Sequence, residues 1–247
     1  MKLNYLNLKQ EWDLSYKNLD NLLFYPNENV VKFLNKFINR KIKLKTKKSN
    51  KYFIDLGCGA GRHIKYLVES GYKCIGIDFS STALQQAKNM LDYQDIDKSR
   101  YKLLNCNSTS IPLKNNSIDY VISDGSLDSM PSQEIVRTVN EIYRVIKKGC
   151  LFYVNLIGKG SNNHQSGRFI NSYDFLITSE HEKNTIQSYF TEKRIKKIFK
   201  NFKTLYSYTV TEKVKNKAYF KTLHGYIPTE KVKNKVLSFR YHLILKK

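Results

Sequence analysis

From residue 51 onward the chain alternates between two spacings of apolar residues. Short apolar runs of strand length occur at 52–56, 73–78, 101–104, 119–123 and 151–156. Between them, 62–70, 82–91 and 132–147 read as helices. In the last of these, Ile135, Val139, Ile142 and Ile146 recur at every third or fourth position, the period of a helix with one buried face. Pro131 opens that segment and Gly149 closes it. Strands alternating with helices predict a parallel sheet covered by helices on both faces.

The flanks read differently. In residues 1–50, Val30, Val31, Phe33, Leu34, Phe37 and Ile38 repeat at helical spacing after Pro26, so an N-terminal helical segment is expected. It ends in the polybasic connector 40–48. Residues 158–190 are polar and lack a period; a stretch of this length is usually functional or mobile. Beyond it, Thr191, Glu192, Ile195, Ile198 and Phe199 predict a capped helix, and 204–210 and 240–245 two closing strands. The heptapeptide TEKVKNK stands twice, at 211–217 and 229–235, a local duplication too short for a solenoid. Three segments follow: 1–50 as a helical lid, 51–157 as the core, and 158–247 as a substrate lid with the closing elements of the same domain.

Composition adds bounds. Of 247 residues, 41% are hydrophobic, enough for a packed core. No apolar stretch approaches the ~20 residues that span a bilayer, and Met1–Asp13 has no signal-like apolar run. A soluble, cytoplasmic protein is expected. Cys58, Cys74, Cys106 and Cys150 form no CxxC pair, so they read as small buried residues and no metal site is expected. The formal net charge of +22 fits an anionic partner, but the Lys-, Asn-, Ile- and Tyr-rich composition also matches AT-rich codon usage.

The chemistry gathers at Ile54-Asp55-Leu56-Gly57-Cys58-Gly59-Ala60-Gly61-Arg62-His63, where a strand enters a glycine-rich turn and then a helix. Glycines serve there because a ligand approaches the backbone closely. Asp78 lies 21 residues past Gly57, at the end of the second strand, where an acid can accept ribose hydroxyl hydrogen bonds. A dinucleotide site would carry a third small residue at 62, where Arg62 stands; the glycines follow G-x-G-x-G instead.

The run from Asp55 to Arg62 resembles motif I of class I S-adenosylmethionine-dependent methyltransferases. Gly76-Ile77-Asp78-Phe79-Ser80 resembles their following acidic motif, and 107–112, 118–123 and 141–149 continue the match. The resemblance implies a Rossmann-like, doubly wound α/β fold with a seven-stranded sheet, mostly parallel with an antiparallel last strand. It implies S-adenosylmethionine as cofactor and S-adenosylhomocysteine as product. Gly57, Cys58, Gly59 and Gly61 would pass under the methionine and ribose. Asp55 would orient the methionine end, Asp78 hold the ribose, and Phe79 lie beside the adenine. Asn107, where the family usually has Asp, would bond adenine, with Ser108 offering its backbone N–H. Ser123 would face the methionine moiety.

Candidate acceptor-side groups follow the fourth strand. Asp124 is the first choice for a base, with Ser126, Asp128 and Ser129 behind it; its other reading is a turn cap. His164 in the irregular segment is a second candidate, with Arg168 nearby to meet a phosphate. His63 reads as a packing or capping residue. Trp12, Tyr16 and Tyr25 are candidates for an aromatic lid over substrate, or for packing against the sheet. The Asn/Asp-Pro-Pro-Tyr motif of base-amine methylation is missing: the position reads Ser123-Asp124-Gly125-Ser126. The reading is therefore methyl transfer to O or N of a small, anionic metabolite, a sugar or phosphate conjugate of the kind met in surface-polysaccharide pathways. The alternatives are an RNA methyltransferase and a non-catalytic cofactor-binding protein.

Overall fold

A computed structural model describes residues 5–17, 22–39, 49–161, 167–178, 182–213, 220–222, 225–227 and 236–247. His164, the polybasic connector and most of the TEKVKNK duplication lie outside them.

Two helices open the chain: α1 (Tyr5–Lys17) and α2 (Glu28–Phe33), the second running into a π-helical turn at Leu34–Ile38. Asn27 caps α2 by accepting from Asn29 N. The core follows as β1 (Tyr52–Leu56), α3 (Arg62–Glu69), β2 (Lys73–Asp78), α4 (Ser81–Tyr93), β3 (Tyr101–Asn105), β4 (Ile118–Ser123), α5 (Ser132–Val145) and β5 (Ile146–Ile157). Then come β6 (Gly167–Phe169), β7 (Asp174–Ile177), β8 (Ile186–Ser188), α6 (Glu192–Ile198) and β9 (Lys203–Lys213). The chain closes with β10 (Phe220–Thr222), β11 (Gly225–Ile227) and β12 (Val236–Lys246).

The main sheet has seven strands in the order β3-β2-β1-β4-β5-β12-β9. β3, β2, β1, β4 and β5 pair in parallel, and β12 runs antiparallel to both its neighbours. This is the expected Rossmann-like sheet with the antiparallel strand last in the chain. Alternate side chains of each strand feed two cores. On one face Ile54, Val121, Phe152 and Leu243 pack with Ile135 and Val139 of α5 and Ile195 of α6. On the other, Phe53, Ile122, Tyr153 and Ile244 pack with Phe33, Ile64 and Leu84 of α2, α3 and α4. Strands buried on both faces explain why the apolar runs lack alternation: all six residues of β4 are buried.

Two readings change. The segment 132–147 is helical only to Val145; β5 begins at Ile146 and Gly149 sits within it at φ 81, donating to Lys247 O rather than ending a helix. Residues 158–190 hold a three-stranded antiparallel sheet, β6-β7-β8. Its strands of three or four residues are too short to show a period in sequence.

Candidate cofactor and acceptor site

β1, β2 and β4 end side by side, and their loops form the crevice that an open α/β sheet offers to ligands. After β1 the backbone turns through Gly57 (φ 65), Gly59 (φ 52) and Gly61 (φ 88), a left-handed path closed to most L-residues. Gly57 N and Cys58 N both donate to Ile77 O, which ties the loop to β2. A Cβ on Gly57 would overlap Ser126 Oγ, and one on Gly59 would stand 2.5 Å from Tyr16 Oη. Both glycines are required by φ, and a Cβ at either would also have to displace the end of a side chain.

Asp78 ends β2 and is 6% exposed. Its Oδ2 accepts from Gly59 N at 3.0 Å and its Oδ1 from Ser80 N at 2.9 Å. Burial pushes its carboxyl up to about 6, against the pull of those two N–H groups. Each oxygen keeps lone-pair capacity toward the cavity it borders. That cavity is partly open to solvent, with about 620 Å³ of space counting its open mouth. Gly57, Phe79, Asn107 and Ser108 line it beside Asp78. Asn107 Oδ1 caps its own turn by accepting from Thr109 N, and Ser108 Oγ meets Thr138 Oγ1 at 2.9 Å.

Asp55 and Ser123, near the ends of β1 and β4, are not among the residues that line the cavity. Asp55 is 1% and Ser123 0% exposed, and Asp55 Oδ2 and Ser123 Oγ have no hydrogen-bond partner among the described residues. Buried orphan acceptors of this kind call for a polar ligand group or water. Together with the glycine cradle they fit an S-adenosylmethionine whose methionine end needs acceptors and whose ribose needs a carboxylate. Cys58 is buried, which raises its thiol well above the usual range, so it stands as a packing residue.

α1 covers the cavity. Trp12 and Tyr16 line it, their rings 6.1 Å apart. The helix is fastened by Asp13, whose Oδ1 accepts from Ser80 Oγ at 2.6 Å and Thr82 N at 3.1 Å, while Lys9 Nζ meets Oδ2 at 2.7 Å. Asp13 thus adds an acceptor at the N-terminus of α4. Burial works to raise its carboxyl, but the bonds from Lys9, Ser80 and Thr82 outweigh it and hold the group at about 2. Tyr25, 85% exposed, does not join the aromatic pair; Arg168 is exposed on β6 and does not border the cavity.

Past β4, Asp124 is not among the residues that line the cavity, and both its oxygens are engaged. Arg62 Nη2 lies 2.9 Å from Oδ2, and Asn155 Nδ2 donates to Oδ1. Burial raises its carboxyl, with His63, Arg62 and Arg240 drawing it back. His63 is buried between two acids: Nδ1 is 3.6 Å from Asp55 Oδ1 and Nε2 3.6 Å from Asp124 Oδ2. Asn27 N lies 3.2 Å from its Nε2. His63 is therefore a tie between α2 and the glycine loop. Ser126, Ser129, Met130 and Glu134 complete the cavity wall. Glu134 and Asp13 carried no sequence signal: each is one acid on a helix, and only the fold turns it toward the site.

Comparison with known proteins bears on the family and the fold. Residues 47–204 match a family model described as a methyltransferase domain. The chain is 32% identical over 99 residues to a demethylmenaquinone methyltransferase of Oceanobacillus iheyensis, covering 39% of this chain and 40% of that protein. It spans half or less of the length of the curated relatives it matches, 40%, 50% and 48%. Among solved structures, a SAM-dependent methyltransferase from Methanosarcina mazei superposes with a TM-score of 0.63 at 21% identity, over 85% of this chain and 97% of that one. The 1,6-didemethyltoxoflavin-N1-methyltransferase of Burkholderia thailandensis, solved with 1,6-didemethyltoxoflavin and S-adenosylhomocysteine, superposes with a TM-score of 0.61 at 12% identity, over 97% and 87%. At these identities the structures speak for the fold.

Proposed function

The chain belongs to the methyltransferase-domain family, and from that premise we propose that it moves a methyl group from S-adenosylmethionine to an O or N atom of a small anionic metabolite. The observation that carries the reading is Asp78: a buried carboxylate held by the N–H groups of Gly59 and Ser80 on the wall of the cavity. Asp78 would accept the ribose hydroxyls, Asp55 would orient the methionine ammonium, and Phe79 with Asn107 and Ser108 would take the adenine.

The cofactor's sulfonium supplies an already activated methyl group. The work left to the protein is to align the acceptor and keep water out. Positioning alone contributes on the order of 7–11 kcal/mol to such a transfer. Trp12 and Tyr16 serve the second task by closing the cavity from above. Because Arg62 and Asn155 occupy both oxygens of Asp124, we assign Asp124 to positioning rather than to proton removal.

The test offers methyl-labelled S-adenosylmethionine and the purified chain to two pools, a small-molecule cell extract and bulk cellular RNA. Label in the small-molecule pool is expected. Stoichiometric label in a defined RNA, with none in the extract, would replace this reading by RNA methylation.

A further inference from the structure

Two guanidiniums stand on the carboxyl side of the sheet, beyond the glycine cradle. Arg62, in the first turn of α3, meets Asp124 Oδ2 through Nη2 at 2.9 Å. Arg240, on β12 opposite Ile157 at the end of β5, meets Asp128 Oδ2 through Nη1 at 2.8 Å. The two aspartates are buried, with side chains 3% and 1% exposed; the arginines are open to solvent by 23% and 30%. Each acid is itself fixed from behind, Asp124 by Asn155 and Asp128 by Ile157 N at 3.0 Å. Each arginine therefore spends one nitrogen on a rigid anchor, and among the described residues no other hydrogen bond engages its guanidinium.

The two pairs serve one place. Asn155 of β5 holds Asp124 and Gly125, and Ile157 of the same strand donates to Asp128 and stands opposite Arg240, so both pairs meet the loop whose Gly125 and Ser126 border the cavity. Only eight of the 43 basic residues are arginines, so a lysine-rich composition does not account for two of them here. Fixed forks of N–H donors match the paired oxygens of carboxylates and phosphates.

We propose that Arg62 and Arg240 form a two-guanidinium site for an oxyanion, a carboxylate or phosphate, carried by the methyl acceptor, with Asp124 and Asp128 as the positioning residues. This rests on the reading that the acceptor is a small anionic molecule. Since two aspartates balance two arginines, recognition comes from directed hydrogen bonds rather than net charge. Binding then weakens far less with salt than a multi-phosphate RNA contact does.

The experiment uses the full chain saturated with S-adenosylhomocysteine. Sodium phosphate and sodium malonate are titrated at constant ionic strength, read by thermal shift, against wild type, Arg62→Gln, Arg240→Gln and Asp128→Asn. Wild type is expected to respond to at least one anion, and the one it answers identifies the oxyanion. Each variant should need at least tenfold more of it while its S-adenosylhomocysteine affinity holds. Arg240→Lys, which keeps the charge but loses the fork, should fall between, and serves if Arg240→Gln does not fold. In a parallel assay the labelled product should be retained on an anion exchanger. Equal anion responses in all variants, or a product that passes the exchanger, would overturn the proposal and leave methyl transfer standing. A loss of S-adenosylhomocysteine affinity in Arg62→Gln would assign that guanidinium to the cofactor and overturn the pair. Label found in RNA alone would refute the small-molecule reading beneath it.

Discussion

Asp78 shows how a single residue trades stability for binding. Burial lifts its carboxyl from 3.8 to about 6 in the folded chain. Between those values the native state holds a proton that the unfolded chain has lost, so this group's contribution to stability falls as pH rises through the window. The ionised form is the one that accepts from ribose. S-adenosylhomocysteine affinity should therefore drop by about tenfold from pH 7.5 to pH 5, as protonation competes with binding; calorimetry showing a flat profile would separate Asp78 from the ribose. Gly59 has the opposite constraint, since any side chain there meets both a left-handed φ of 52° and Tyr16 Oη. Gly59→Val should lose all thermal stabilisation by S-adenosylhomocysteine while keeping its circular dichroism spectrum. The residues around Gly57–Gly61 and Asp78 were legible because one strand–turn–helix unit carries most of them in sequence order. Asp13, Glu134 and Arg240 were not, because they come from α1, α5 and β12, and nothing local distinguishes them from solvated charges.

At the scale of elements, one polar clasp holds α1 over the cavity and a second ties β7 to α5 and β8. The first is Asp13, which joins α1 to the start of α4. Its contribution is present above pH 4 and lost as pH falls from 3.8 toward about 2, where the folded-state carboxyl takes its proton. Asp13→Ala should cost about 1 kcal/mol, the size of a helix-cap loss. Amides of α1 should then exchange faster with deuterium while α5 is unchanged; equal exchange in both proteins would show that α1 is held by other contacts. The second clasp is Asp174, buried at the start of β7. It accepts from Ser132 N and Oγ, Ser188 Oγ and Asn171 Nδ2, beside the buried Arg194. Removing it strands Arg194, so Asp174→Ala should lose roughly 3–5 kcal/mol in urea denaturation; a loss under 1 kcal/mol would contradict the coupling. Neither clasp has a periodic signature, and the same holds for β6, β7 and β8. The longer elements were legible because burial on two faces makes strands uniformly apolar and burial on one gives helices their period. The boundary at Val145 was missed because Ile146 continues the helical repeat while already serving as the first residue of β5.

Taken whole, the molecule is a doubly wound sheet whose carboxyl edge carries the glycine loop with Asp78 and, at the loop after β4, the pairs Arg62–Asp124 and Arg240–Asp128. The net charge of +22 is spread through a chain in which many of the placed cations are already matched, as Arg62, Arg144 and Arg240 are by acids. Global charge therefore says less about the acceptor than the geometry at the crevice does. Among the described residues no helix is long and apolar enough to cross a membrane. The account stands or falls on whether the cradle between Gly57 and Asp78 holds S-adenosylmethionine. Calorimetric titration of S-adenosylhomocysteine into the wild type and Asp78→Ala at pH 7.5 tests this directly. The account predicts one site per chain, with affinity weakened by about 1.5–3 kcal/mol in the variant, the size of a lost hydrogen bond to a charged group. No binding to the wild type, or equal affinity in both proteins, would contradict it.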